Sequence, residues 1–369
     1  MKKAYYVLMG AIALYLLSPI GGTWFYQHNI RGFYVLLLGF ILANLFTPIA
    51  VKLALKFKIL DYPDRKRKIH KKPIPRLGGL AVFGAFILVI LRNQHFPDYV
   101  VGILIACTVL FVFEIIDDIK PTSAFLRLFG QVLAAGIIVF FGVTISIVPH
   151  MPGQKIIEVL LTIFWIVGIT NAFNFLDGVD GLATGLAIIS ALCFYVLAWP
   201  LKEIESGYIQ IAVMGVCAGF LPYNWKPAKI FLGDSGATLI GFLLSVLAIV
   251  GTLGTSNPVK AGIIPLLIMS IPIFDMIYIT ISRIKNGVVR TVREWIEYTG
   301  KDHFHHRLLN MGLTERMSVI FLCALNLSFG LGAIVLKDAV SLDAVLLLLQ
   351  GLIIFGIIVI LMITGRELS

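Results

Sequence analysis

The stretch NAFNFLDGVDGLATG (171–185) sets Asn171, Asn174, Asp177 and Asp180 three positions apart, with glycines at 178 and 181. On a continuous helix, neighbours three apart share a face while the row slowly rotates, and the glycines allow the end to unwind. An amide oxygen with a few carboxylates is a hard, oxygen-only donor set. It suits Mg²⁺, or Mn²⁺, with water and a substrate phosphate completing the shell, and it does not suit zinc. Asp117 and Asp118 are adjacent, so on a helix their side chains diverge by about 100° and two separate jobs are expected. In FLGDSGA, Asp234 stands between two glycines where a new apolar segment starts. The free N–H groups of such a helix start favour phosphate; an N-cap role is the plainer alternative. HFHHR brings His303, His305, His306 and Arg307 together. His303 and His306 lie one helical turn apart, with His305 pointing elsewhere. A zinc site lacks Cys or His partners, so contact with an anion or sugar phosphate is expected.

These groups must be positioned by apolar helices. The chain is 59% hydrophobic and 14% charged, against about 25% charged residues in soluble domains. Stretches long enough to cross a ~30 Å hydrocarbon core lie near 4–20, 33–55, 78–91, 99–116, 126–142, 156–173, 182–199, 208–223, 235–253, 261–282, 317–336 and 343–364. The expectation is one all-α, polytopic membrane domain over 33–369, preceded by an apolar segment and outer loop over 1–32. Lys2 and Lys3 before the first stretch resemble a signal-peptide start, but no clear small-x-small cleavage site follows, so a retained helix is expected. The four cysteines fall inside apolar segments without paired spacing and read as core residues.

Threading the segments with the N-terminus inside places 24 of the 30 Lys and Arg on the inner side, the bias expected of cytoplasmic loops. The net charge of +10 thus reports orientation, and no basic, aromatic-interleaved soluble module exists to bind nucleic acid. The basic run within 61–76, His70 included, anchors to anionic membrane lipid on its simplest reading. The acids, the 171–182 stretch and the histidines all fall on that same inner face, and clustered acids repel unless a cation sits among them. Asp275 lies deeper, where an ionisable group is a functional candidate, with no partner nameable from sequence.

DRKRKIHKKPIPRLGGLAVF, DDIK, NAFNFLDGVDGLATG, IFLGDSGATLIGFLL, IPIFD and HFHHRLLNMGL, in that order, resemble the polyprenyl-phosphate N-acetylhexosamine-1-phosphate transferases (glycosyltransferase family 4). The His-Phe-His-His-Arg-Leu form is similar to the branch that uses UDP-GlcNAc. The resemblance implies transfer of GlcNAc-1-phosphate to undecaprenyl phosphate, with UMP released and Mg²⁺ required, at the cytoplasmic face of a bacterial inner membrane. It implies a core of about eleven transmembrane helices, with an extra N-terminal one here, and allows a homodimer. By the same resemblance, Asn174 and Asp234 hold the metal, and Asp117 and Asp118 lie by the lipid phosphate in catalytic roles. Arg127 is a phosphate contact, although Phe125 stands where many relatives carry a lysine. Asp177 and Asp180 match the uridine side, Asp180 as the nucleotide contact, and His303, His305 and His306 the sugar-diphosphate loop, with Asn171 and Arg307 as further substrate-binding residues. Direct in-line attack is the expected route, with a phospho-aspartate intermediate as its alternative. Rival readings are the same chemistry on UDP-MurNAc-pentapeptide or another UDP-HexNAc, and a secondary transporter for an anionic metabolite, in which Asp275 would be central.

Overall fold

A computed structural model describes residues 2–63, 72–93, 96–198, 204–251, 257–291, 294–295, 298, 300 and 303–364. His70 and most of the basic 61–76 run lie outside the described residues. All twelve apolar segments fall on helices: α1 (Lys2–Leu17), α2 (Pro19–Gln27), α3 (Arg31–Phe57), α4 (Gly78–Asn93), α5 (Asp98–Ile119), α6 (Ala124–Phe140), α7 (Gln154–Leu176), α8 (Leu182–Ala198), α9 (Ile204–Asn224), α10 (Gly233–Val250), α11 (Pro258–Ile268), α12 (Ser270–Lys285), α13 (Phe304–Asn310), α14 (Glu315–Val335) and α15 (Ser341–Thr364). A short antiparallel pair, β1 (Leu60–Asp61) with β2 (Ile74–Pro75), closes the base of the α3–α4 connection.

Six of the described helices are long and apolar enough to cross a membrane, or eight if two bent pairs count as one span each. The bent pairs correct two expected straight spans. The first segment turns by 71° between α1 and α2, and the tenth by 80° between α11 and α12. Both breaks have a proline cause, because proline removes an N–H from the helical ladder. Pro19 leaves the Tyr15 carbonyl without its helical donor, and the Ser18 hydroxyl donates to it at 2.6 Å. Arg92 then covers the Leu17 and Ser18 carbonyls at 3.2 and 3.0 Å. Pro272 likewise frees the Ile268 carbonyl, which accepts from the Ser190 hydroxyl at 3.3 Å. In lipid every such group needs a partner.

α10 is the central helix. Nearly all of it is buried, and α4, α5, α7, α8 and α9 pack around it. A helix apolar on every face is a protein core element or a membrane span, and α10 lies inside the bundle. Its N-terminal end meets the α3–α4 connection through backbone pairing: Phe231 N–H to the Pro75 carbonyl (2.8 Å), Gly78 N–H to Phe231 (3.0 Å) and Gly79 N–H to Leu232 (2.7 Å). That pairing seats Arg76 beside the start of α10.

Candidate active site

Asp118, near the end of α5, has its side chain fully buried. Its two oxygens accept the backbone N–H groups of Asp234 (2.9 Å) and Ser235 (3.0 Å), and Arg76 Nε lies 3.2 Å from Oδ1. The expectation of free N–H groups at this helix start is therefore corrected: a carboxylate from another helix already caps them. Asp234 is not an N-cap either, because α10 begins at Gly233. Gly233 sits at φ +77°, and a Cβ there would lie 2.8 Å from Asp118 Oδ2. Only glycine meets both conditions.

Asp117 faces other partners, as the divergence of adjacent residues requires. Thr122 donates to its Oδ1 from both backbone N–H (2.7 Å) and hydroxyl (2.6 Å). Oδ2 lies 3.5 Å from Arg127 Nη1 on α6. Arg127 Nη1 also reaches Asp234 Oδ2 at 3.2 Å, and Arg76 Nη2 reaches the same oxygen at 2.8 Å. Asp234 thus stands between two guanidiniums with 23% of its side chain exposed. The neighbouring acids hold the Arg76 guanidinium more firmly protonated than usual, against the opposing effect of burial.

The row 171–180 does not continue as one helix, which corrects the expected rotating face. Asn171 and Asn174 lie on α7, Asp177 is its C-cap, and Asp180 sits in the turn to α8. Asn171 donates to Gln131 Oε1 (2.6 Å) and to the Val167 carbonyl (2.8 Å). Gln131 in turn donates to Glu114 Oε1 at 3.1 Å. This buried chain across α5, α6 and α7 holds Asn171. Asp180 Oδ2 accepts from the Ala228 N–H at 2.9 Å, with Lys226 Nζ at 3.7 Å. Lys226 also pairs with Glu315. Asn224 ties the same turn to the α9–α10 connection by accepting from Gly181 N–H and Thr184 and donating to the Ile230 carbonyl.

The histidine loop closes on the end of α7. His303 is not in helix: it precedes α13 in an extended conformation, so its expected one-turn relation to His306 does not hold. Its ring lies parallel to that of His305, centroids 5.7 Å apart, and His306 lies 4.3 Å from His305. His305 is the inward member, 1% exposed with no hydrogen bond to either nitrogen. Burial, reinforced by His306 and His303, holds it well below the usual imidazole range. Arg307 lies over the Tyr278 ring at 4.8 Å.

Five connections far apart in sequence therefore meet at one end of the bundle. Two residues there were not singled out from sequence. Arg76 lay within a basic run whose members look alike, although the PIPR-LGG context marked its place. Glu114 was legible only as an acid one turn before Asp117.

The donor set fits a hard cation. The Asn174 amide makes no side-chain hydrogen bond among the described residues. Asp177 is pushed well above the ordinary carboxylate value, by burial first and then by the charge of Asp234, which Arg76 only partly offsets. No group of three His, Cys, Asp or Glu among the described residues forms an ion cage alone. One or two protein oxygens completed by phosphate and water is how Mg²⁺ is usually held.

The profile of glycosyl transferase family 4 matches residues 100–252. The chain is 36% identical over 299 residues to the probable undecaprenyl-phosphate N-acetylglucosaminyl 1-phosphate transferase of Bacillus subtilis (strain 168), covering 79% of this chain and 81% of that protein. It is 31% identical to the decaprenyl-phosphate N-acetylglucosaminephosphotransferase of Mycolicibacterium smegmatis, covering 78% of each. With the undecaprenyl-phosphate alpha-N-acetylglucosaminyl 1-phosphate transferase of Escherichia coli (strain K12) it shares 27% identity over 77% of this chain and 78% of that protein.

Proposed function

The chain belongs to glycosyl transferase family 4, and from that premise we propose that it transfers GlcNAc-1-phosphate from UDP-GlcNAc to undecaprenyl phosphate, releasing UMP. The observation that carries this reading is Asp234, held by Arg76 and Arg127 at the end of the bundle where the inter-helix connections meet. Two guanidiniums beside a partly exposed carboxylate at a bundle end can hold one phosphate group against another. A soluble diphosphate reaches such a place from water, and a lipid phosphate reaches it from the bilayer. Relatives spanning about four fifths of the chain carry this activity in their names.

In the reaction, an oxygen of the lipid phosphate attacks the sugar-bearing phosphorus, and the bond to UMP breaks. A phosphate monoester is already largely ionised near neutral pH, so no strong base is required. Catalysis is then mainly positioning and charge neutralisation. Arg127, aligned by Asp117, lies on the lipid side, and Asp118 fixes Asp234 through the backbone of α10. Asp177 and Asp180 stand with the nucleotide, and the histidine loop stands over the sugar diphosphate. Asn174 and Asp234, with Asp177 beside them, would hold Mg²⁺, which supplies neutralisation of the charge developing on the departing UMP.

The same reading places the site on the cytoplasmic face of a bacterial inner membrane. It is supported by the gathering of basic residues in the connections on that side. Eleven core crossings, α3 to α15 with α11–α12 as one and α13 outside, are preceded by α1. A transporter reading finds less support, because the acids gather at one end of the bundle. The experiment is UMP release by purified protein given undecaprenyl phosphate, Mg²⁺ and either UDP-GlcNAc or UDP-MurNAc-pentapeptide. Release from UDP-GlcNAc alone, lost in Asp234→Ala, is expected. Release from the pentapeptide donor alone would move the protein to the other branch.

A further inference from the structure

Asp275 is 1% exposed on α12, and the mechanism above gives it no task. Its carboxylate meets two donors of a single loop. Oδ2 lies 2.9 Å from His303 Nδ1, and Oδ1 accepts the Phe304 N–H at 2.6 Å. A carboxylate that already accepts the Phe304 N–H offers Nδ1 an acceptor oxygen, so Nδ1 is the nitrogen that donates. That fixes the tautomer and the ring orientation together. The second bond fixes where α13 begins, since Phe304 is its first residue and is fully buried.

The consequence passes along the loop. The His303 ring lies parallel to His305 and 6.0 Å from the Phe175 ring of α7. His305 sits so close under Gly178 that an added Cβ would come within 2.9 Å of its ring, one residue from Asp177. His303 keeps 11% of its side chain exposed, and its Nε2 makes no hydrogen bond among the described residues.

We propose that Asp275 is a positioning residue for the transfer reaction, acting through His303: it holds the proton on Nδ1 and leaves Nε2 as a hydrogen-bond acceptor for a hydroxyl of the UDP-sugar. This rests on the functional reading above. An aspartate placed to act only through one histidine differs from one that merely caps a helix, and the two can be separated.

The test is a double-mutant cycle read by UMP release from UDP-GlcNAc and undecaprenyl phosphate, using Asp275→Asn, His303→Ala and the pair. The asparagine can still accept the Phe304 N–H through its oxygen, while its NH₂ faces Nδ1 and forces the proton onto Nε2. Asp275→Asn is expected to lower kcat roughly tenfold to a hundredfold, the scale seen when an outer carboxylate that orients a histidine is removed. KM for undecaprenyl phosphate is expected to hold, and in the His303→Ala background the substitution is expected to have no further effect. Asp275→Glu, which keeps a carboxylate, is expected to recover part of the loss. Equal loss from Asp275→Asn with and without His303 would show that Asp275 does not act through His303 and overturn the proposal, as would full activity in His303→Ala. If Asp275→Asn is not recovered folded, Asp275→Glu replaces it in the same cycle with the same criterion. Wild-type protein that releases no UMP would overturn the functional reading itself, a failure distinct from an active wild type whose cycle is additive.

Discussion

The carboxylate of Asp118 accepts the backbone N–H of Asp234 at 2.9 Å, so one acid of the site is held in place by the side chain of another. Asp118 has no oxygen to spare: its second one takes Ser235 N–H. In Asp118→Asn the amide can accept one of these and must turn a donor toward the other. Leaving a buried donor unmet costs about 1–3 kcal/mol. The expected outcome is a lower thermal midpoint in detergent together with reduced turnover. Unchanged stability with lost activity would point to direct contact with substrate instead.

Arg76 bridges Asp118 and Asp234 with two different nitrogens. A lysine ammonium cannot reproduce that planar fork. Arg76→Lys is therefore expected to behave like Arg76→Ala, each losing at least about tenfold in turnover, since a charge-assisted hydrogen bond contributes ~1.5–3 kcal/mol. Steady-state kinetics of both variants checks this, and a fully active lysine variant would refute it.

Asp177 has its folded-state value raised above the ordinary 3.8 by burial and by Asp234. Its protonated form is thus favoured in the native state. The associated stability is fully present below about pH 4 and is lost as pH rises through the elevated folded value. Asp177→Asn removes this titration. Without divalent cation, its thermal midpoint is expected to rise relative to wild type as pH increases from 4 to 8. Adding Mg²⁺ should narrow or reverse that gap, because a bound cation favours the carboxylate. A gap independent of both pH and Mg²⁺ would remove Asp177 from the electrostatic cluster.

Ser190 supplies the donor that Pro272 denies to the Ile268 carbonyl, and its oxygen also accepts from Asn326 at 3.1 Å. Ser190→Ala is expected to cost about 0.5–2 kcal/mol, the range of hydrogen bonds between membrane helices. Kinetic constants are expected to hold, since the hydrogen bonds of Ser190 run to Ile268 and Asn326 and not to the acids. Thermal unfolding and kinetics on the same sample measure both.

The segments were legible because an apolar stretch in lipid has few options besides a helix, and every expected one falls on a helix. The two sharp bends were not, although Pro19 and Pro272 mark them, because a proline within an apolar run does not reveal whether a neighbour will replace the missing donor. The acids of the site were legible by type and by side of the membrane. Their partners were not: Asp118 reaches across 116 positions to Asp234, and helical periodicity says nothing about which helix end lies beside another. Arg76 shows the same limit, since only the pairing of Pro75 with Phe231 distinguishes it from the other bases in its run. His303 was placed on a helix because one-turn spacing suggested it, whereas Asp275 starts α13 one residue later.

The most direct test of the central claim follows the phosphorus. UDP-GlcNAc labelled with ³²P in the phosphate that carries the sugar is incubated with undecaprenyl phosphate, Mg²⁺ and purified protein, and the lipid and nucleotide fractions are separated. The account expects the label in the lipid product, unlabelled UMP in the aqueous phase, and neither in Asp234→Ala. Label recovered as UDP, with sugar alone on the lipid, would contradict it.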